Sequence, residues 1–488
     1  MAKSRKPQAG LRGPQKPLGS LMGEPSPQPV RPFAGGAGLH AGLLSLPPGN
    51  RPQTTGRKII IFRRGAAASG VKALQSQTGL KLATTADAKS GVLSTSDITA
   101  AGGVIFQHLG IALVSQPAAL EKTGATFAAA LGGAIEAVVD ERIVYALPNW
   151  YRRATASARP SAWTEDYTRG FRDGVLSMSG TTVRPPLPGL PGGARSGVRD
   201  LDESQATWGL QATNVIGSSF SGKGIKVAML DTGLDFNHPD FAGRVPANQA
   251  QSFVPNVQSA QDGHGHGTHT AGTACGPAAP VTGPRYGIAH AAQLFIAKVL
   301  SDDGWGYDSW FLAAIDWAIT NGCRIASMSI GGTPDPEEDA KFDIVVARAM
   351  EAGLLLIVAA GNESSRPGKI SPVDHPASCE HAMAVAAVDS DLEIAFFSNA
   401  GDASAPVGGQ IDIAGPGVDV YSSVPLPRQY DRMMGTSMAT PHVSGIAALH
   451  AQADPNLTPQ DLWTRLTQTA KRLSLPSSDV GTGLVQAP

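Results

Sequence analysis

From residue 225 onward the chain alternates short continuous apolar runs with longer stretches of helical period. The runs are KVAML (226–230), LFIAKVL (294–300), RIASMSI (324–330), LLLIVAA (354–360) and AMAVAAV (382–388), and residues 309–320 and 336–352 are among the helical stretches. Uninterrupted apolar text is what a strand buried on both faces looks like, and a β/α alternation builds a mostly parallel sheet flanked by helices. The fold class expected is therefore α/β, with chemistry at the carboxyl ends of the strands. An earlier group of strand-like segments, KIIIF (58–62), GGVIFQHLGIAL (102–113) and IEAVVDERIVYAL (135–147), with helical text between them, predicts a separate small α+β domain over residues 57–148.

Composition sets the remaining boundaries. Residues 1–56 hold ten prolines and seven Lys/Arg against one Glu, too little apolar surface to offset chain entropy, so a disordered basic arm is expected. Residues 149–202 contain VRPPLPGLPGG and read as a linker open to cleavage. Residues 203–488 then form the large α/β unit. The net charge of −1 supplies no basic field for nucleic acid, and no apolar stretch reaches membrane-spanning length. No secretory signal is visible, which points to a cytoplasmic protein or one exported by a signal-independent route. Cys275, Cys323 and Cys379 are too widely spaced for a zinc site or a disulfide framework and are expected as buried thiols; Cys275 and Cys323 pair only if geometry allows.

Four polar motifs stand where strands end. KVAML runs into Asp231-Thr232-Gly233, a carboxylate followed by small residues. GHGHGTHTAG (263–272) sets His266 at the start of helical text; His264, His266 and His269 are spaced two and three apart without a Glu, which argues against a metal. LLLIVAA ends in Gly361-Asn362, a side-chain amide at a turn. GTSMATPHVSG (435–445) delivers Ser437 to a helix start, and Pro441 is expected in the first turn of that helix. Each alone has an ordinary structural explanation: a strand-end acid, a turn Asn, an N-cap Ser. They occur in the order Asp, His, Asn, Ser, and Asp before His before Ser is the subtilisin order of a catalytic triad.

On these residues, with W-G-L at Trp208, H-P-D at 238–240 and M-S-I-G-G at 328–332, the chain between about residues 207 and 451 resembles the subtilisin-like serine proteases (subtilases, peptidase S8). The resemblance implies a three-layer subtilisin-like fold and a serine endopeptidase. Ser437 would be the nucleophile, His266 the general base, Asp231 the group that orients it, and Asn362 an oxyanion donor. It implies protein or peptide substrates bound as an extended strand between Ser329-Ile330-Gly331-Gly332 and Gly304-Trp305-Gly306. Gly331 and the turn at 359–361, ending in Gly361, would floor the pocket for the residue before the scissile bond, and Trp305 would cover a more distant apolar side chain. No acidic residue stands in these short segments, so broad specificity with an apolar or aromatic preference is expected.

Residues 57–148 would be an inhibitor-like propeptide and the protein an autoprocessed zymogen cut between residues 149 and 203. Catalysis needs no cofactor. The family's structural calcium has a ligand candidate in Asp240, but the loop GPAAPVTGPRY (276–286) lacks the Asn or Asp oxygens that a hard cation takes. The rival readings are a subtilase fold kept as an inactive binding scaffold and a dedicated peptide-processing or transpeptidase enzyme.

Overall fold

A computed structural model describes residues 52–85, 102–115, 133–146, 201–402 and 408–488. The expected basic arm up to residue 51, and the expected linker and processing site up to residue 200, lie outside the described residues. The first described strand, β1 (Thr54–Phe62), starts inside the stretch read as arm, because Thr55 and Arg57 bind Glu141 of the neighbouring strand. It is followed by α1 (Ala67–Thr78), β2 (Leu82–Thr84), β3 (Gly103–Phe106), β4 (Ile111–Val114) and β5 (Ile135–Ala146). The segment 102–113, read as one strand, is a β3–β4 hairpin turning at Gly110, whose φ is 63°.

These strands form one sheet in the order β2-β3-β4-β1-β5, antiparallel except for β2 and β3. KIIIF is uninterrupted for a physical reason. Ile60 and Phe62 pack against Leu74 of α1, while Ile59 and Ile61 face the other way into the core of the large unit. Successive side chains of a strand point to opposite faces, so an antiparallel sheet covered on both sides loses its polar alternation.

The large unit contains a sheet of seven parallel strands in the order β14-β13-β12-β10-β6-β8-β7. In chain order these are β6 (Lys226–Asp231), β7 (Ala250–Ser252), β8 (Gln293–Lys298), β10 (Ile325–Met328), β12 (Leu355–Ala359), β13 (Met383–Val388) and β14 (Ile413–Pro416). Two short edge segments, β9 (Trp305–Tyr307) and β11 (Ile330–Gly331), pair with β5 instead, and β15 (Val420–Ser423) and β16 (Tyr430–Met433) form a hairpin. Val227, Met229, Ile325 and Ile357 pack on one face with Ala271 of α2 (His266–Cys275) and Val443 and Ile446 of α5 (Thr436–Ala453). Ala228, Leu230, Met328 and Val358 pack on the other with Phe311 and Ile315 of α3 (Asp308–Thr320) and Val345 of α4 (Pro336–Glu351). The start of α4 is written locally: Asp335 accepts the N–H groups of Glu337 and Glu338, and Pro336 stands at the first helical position.

The N-terminal sheet lies on α3 and α4, and charge as well as apolar area joins them. Glu141 accepts a hydrogen bond from the Ser309 N–H at the start of α3. Arg142, 3% exposed, reaches Asp339 of α4 at 2.5 Å and approaches Asp308 of α3 at 3.7 Å. From α4, Arg348 donates to the carbonyls of Phe62, Leu109 and Gly110. Removing one partner of a buried ion pair leaves an uncompensated charge, at a cost of about 3–5 kcal/mol. Arg142→Ala is therefore expected to loosen the N-terminal sheet: in a Ser437→Ala background, added trypsin should digest residues 52–146 faster than in the parent. An unchanged digestion rate would mean that apolar contact alone holds the two parts together.

Candidate active site

Strands β6, β10 and β12 lie side by side, and their carboxyl ends carry Asp231, Ser329 and the Gly361-Asn362 turn. Strands β7 and β8 lie to one side of β6 and β10, β12, β13 and β14 to the other, so the chain order reverses between β6 and β10, where open α/β sheets place a site. Asp231 is 2% exposed. Its Oδ1 accepts the Thr232 N–H at 2.6 Å, its Oδ2 accepts the Thr270 hydroxyl at 3.0 Å, and His266 Nδ1 lies 2.8 and 3.0 Å from the two oxygens. Burial alone would push this carboxyl up; the charge and hydrogen bond of His266, with the Thr232 and Thr270 bonds, outweigh it and hold it below the usual carboxylate range. Asp231 thus stays anionic at neutral pH. Its stabilisation is present above the unfolded carboxylate pKa and fades as pH falls through the lower folded value.

His266 is the first residue of α2. A side chain at Gly267 would meet the Gly233 carbonyl oxygen at 2.2 Å, so only glycine lets α2 approach the Asp231 loop this closely. With Nδ1 held by Asp231, the ring presents Nε2, which is buried and has no hydrogen-bond partner among the described residues. The other histidines do not converge on it as ligands. His269 gives its Nε2 to the Val420 carbonyl and is pushed down to about 3 by burial; His442 is pushed down to about 4 for the same reason.

Ser437 is the second residue of α5. Pro441 stands in the second turn rather than the first, because the helix begins at Thr436 and runs unbroken through it. A proline there cannot donate to the carbonyl four residues back, which is that of Ser437. The Ser329 hydroxyl takes its place and donates to the Ser437 carbonyl at 2.8 Å, while Ser437 Oγ lies 3.5 Å from the Ser329 carbonyl. The bond from Ser437 to His266 is open here, as such bonds often are without substrate.

Asn362 Oδ1 accepts both the N–H and the hydroxyl of Thr436 at 2.9 Å, which orients its amide. Its Nδ2 is left buried and, among the described residues, unpartnered, and a side chain on Gly435 would come within 3.2 Å of it. The Ser437 N–H belongs to the first turn of α5, where a helix supplies no acceptor of its own. Two donors thus flank the Ser437 hydroxyl.

The two edge segments, Ser329 to Gly332 and Gly304 to Gly306, bound a slot, and the chain fills it with its own strand. Ile143, Val144 and Tyr145 pair antiparallel with Tyr307, Gly306 and Trp305; Tyr145 and Ala146 pair with Gly331 and Ile330; the Ala146 N–H donates to Gly304 at 2.8 Å. Trp305 packs with Tyr307 and Trp310 at 5.3 and 5.4 Å between ring centroids. The residue that sequence reasoning missed is Asp374. It lies outside the short segments read as the pocket, and no spacing rule ties SPVDHP (371–376) to Gly361; only the loop path brings its carboxylate against that glycine.

Asp240 is occupied by donors. Its Oδ1 accepts the Val281 N–H at 2.9 Å, and its Oδ2 accepts the hydroxyls of Tyr286 and Tyr430 at 2.6 and 2.9 Å. A calcium ion needs converging oxygen lone pairs, whereas three hydrogens converge on this carboxylate, so the residues do not fit calcium. The three cysteines are buried and free; burial pushes Cys275 and Cys323 up to about 12 and raises Cys379 as well, so none is a nucleophile at neutral pH.

Residues 222–484 match the profile of the Subtilase family (Peptidase_S8). The chain is 38% identical over 277 residues to subtilisin E of Bacillus subtilis (strain 168), covering 57% of this chain and 68% of that protein. To subtilisin Savinase of Lederbergia lenta it is 39% identical over 284 residues, covering 57% and 96%. Among solved structures, Sphericase superposes with a TM-score of 0.51 at 32% identity, covering 58% of this chain and 98% of that one.

The Ser329 bond generates a paired prediction. Ser329→Ala orphans a buried carbonyl and should lower stability by about 1–3 kcal/mol, measured by urea unfolding. Adding Pro441→Ala returns a backbone N–H to the same carbonyl and should recover much of the loss. No recovery in the double variant would mean that the hydroxyl acts through something other than that carbonyl.

Proposed function

The chain belongs to the subtilase family and is a subtilisin-like serine endopeptidase, and from that premise we propose that Asp231, His266 and Ser437 are its triad and Asn362 its oxyanion donor. The observation that carries this reading is the buried Asp231–His266 pair with Nε2 of the ring left unpaired. Ser437 Oγ attacks the scissile carbonyl as Nε2 takes its proton. The carbonyl π electrons move onto oxygen, which the Asn362 Nδ2 and Ser437 N–H groups receive. Collapse of the intermediate expels the amine, which takes the proton back from His266; water then repeats the sequence and frees the acid. Asp231 keeps the imidazole in one tautomer and stabilises its charged form without being protonated itself.

Substrate binds as an extended strand between the two glycine-bearing edges. The pairing of Ile143 to Ala146 in that slot supports the reading of the N-terminal domain as an intramolecular inhibitor, and the linker that follows as the place where the enzyme cuts itself free. The trypsin-sensitive surface of such a zymogen would then change with processing.

A fluorophosphonate probe tests the nucleophile. It should label Ser437, and only in protein that has lost the N-terminal domain; Asn362→Leu should lower kcat by about 10²–10³, the size known for this donor in subtilisin. Equal processing of a Ser437→Ala variant in pure form would remove the self-cleavage reading. The donors around Asp240 also imply that EDTA leaves activity and unfolding temperature unchanged, and a drop in either would reinstate a structural cation.

A further inference from the structure

Beside the proposed nucleophile lies a buried carboxyl, Asp374, with no cation next to it among the described residues. Resting on the reading just given, the walls of the pocket for the residue before the scissile bond are Gly331-Gly332 and the turn at 359–361. Residues 374 and 375 tie the walls together at their base. The Asp374 N–H donates to the Ala360 carbonyl at 2.9 Å; the His375 N–H donates to the Gly332 carbonyl at 3.0 Å, and the His375 carbonyl accepts the Gly332 N–H at 2.9 Å. Between the walls, the Asn399 amide and the Asp374 carboxylate both lie against Gly361, where a Cβ would be 2.2 Å from Asn399 Nδ2 and 2.7 and 2.8 Å from Cγ and Oδ2 of Asp374. Gly361 has φ +112°, a conformation other residues avoid, and only a residue without a Cβ leaves room there for the amide and the carboxylate.

Asp374 is 5% exposed, yet its neighbours offer it no positive charge. Asn399 Nδ2 stands 3.3 Å from Oδ1, and the same amide donates at 2.8 Å to Oε2 of Glu363, which also accepts the Asn362 N–H at 2.8 Å. Glu363 is exposed and so stands at the rim, with Asp374 beneath it. A buried carboxylate facing a second one ordinarily holds its proton, and burial first, then Glu363, pushes Asp374 well above the usual carboxylate range. Other buried acids are met by a cation, as Asp308 and Asp339 are by Arg142, or by several donors, as Asp262 is by the Gly265 and Thr268 N–H groups and the Thr268 hydroxyl.

We infer that Asp374, with Glu363 at the rim, makes this a peptidase that prefers lysine or arginine immediately before the scissile bond. A long aliphatic stem lies along the glycine walls and its charged end replaces the missing partner of Asp374. An apolar side chain leaves the carboxylate unpaired and forces it to keep a proton. The second observation pointing to a ligand is the strand Ile143 to Ala146, which already occupies the slot leading to this pocket. In sequence it is followed by Leu147 and Pro148, an uncharged residue and an imide bond, a poor substrate at the site of a tenant that must not be turned over. The following linker, residues 149–200, carries eight arginines, so the same preference directs processing to an arginine there.

The test uses processed wild-type protein and peptide amides that differ only in the residue before the cleaved bond: Lys, Arg, Leu or Phe. Lys and Arg peptides should be favoured in kcat/KM by about 10-fold or more, and Asp374→Asn should reduce that ratio on the order of 10²-fold, with a smaller reduction for the exposed Glu363→Gln. Mass spectrometry should place the new N-terminus after an arginine. Leu or Phe preferred by the wild type overturns the inference without any variant, and so does a ratio unmoved by Asp374→Asn. Fluorophosphonate labelling separates the two readings: labelling of Ser437 without a basic preference sinks the pocket assignment alone, whereas no labelling of processed protein sinks the triad and this inference with it.

Discussion

Three neighbouring parallel strands that stop at the same level are the constraint on which the site depends. Leu230, Met328 and Val358 are paired in register across β6, β10 and β12, and neighbouring strands are about 4.8 Å apart. Asp231, Ser329 and the turn to Asn362 therefore leave the sheet side by side. Neither a one-residue slip nor an altered strand order would preserve this, because a slip would also turn every core side chain to the wrong face. Glycine at 267 then lets α2 close on the Asp231 loop, and Asn362 takes the first N–H of α5, so the two helices that carry His266 and Ser437 are referenced to the same strand ends.

Buried charge is handled in two ways within this framework. Asp231 and the Asp308, Asp339 and Arg142 cluster are matched by cations and hydrogen bonds, and each ties elements together: α2 to β6 in the first case, the N-terminal sheet to α3 and α4 in the second. Asp374 is the contrasting case, a buried acid whose nearest charged neighbour is another acid. Asp262, buried without a cation among the described residues, collects several donors, whereas beside Gly361 the Asp374 carboxyl has the Asn399 amide at 3.3 Å and a second acid, and it is pushed up accordingly.

The slot between β9 and β11 is the other place where the chain leaves hydrogen-bonding capacity for something outside the large unit. Two short edges, each with glycine, cannot satisfy one another, and β5 inserts between them to complete a sheet that continues into the N-terminal domain. Under the proposed function the same backbone groups would hold an extended substrate, so the strand and a substrate would compete for them.

The sequence by itself determined the α/β class, the five central strands, the helices at 308–320 and 336–351, and the four polar motifs, because buried strands leave continuous apolar runs and the motifs sit in short local turns. It also carried the two edge segments, whose glycines are local. Tertiary structure decided what distant segments share. The break of 102–113 into a hairpin, the burial of KIIIF on both faces, and the donors that saturate Asp240 depend on neighbours remote in the chain. So does the place of Pro441, tolerated in the second turn because Ser329, more than a hundred residues away, answers the carbonyl it leaves free. Asp374 follows the same logic: a carboxylate in a loop has no periodicity to betray its direction, and only the path that links Gly332 to Ala360 turns it against Gly361.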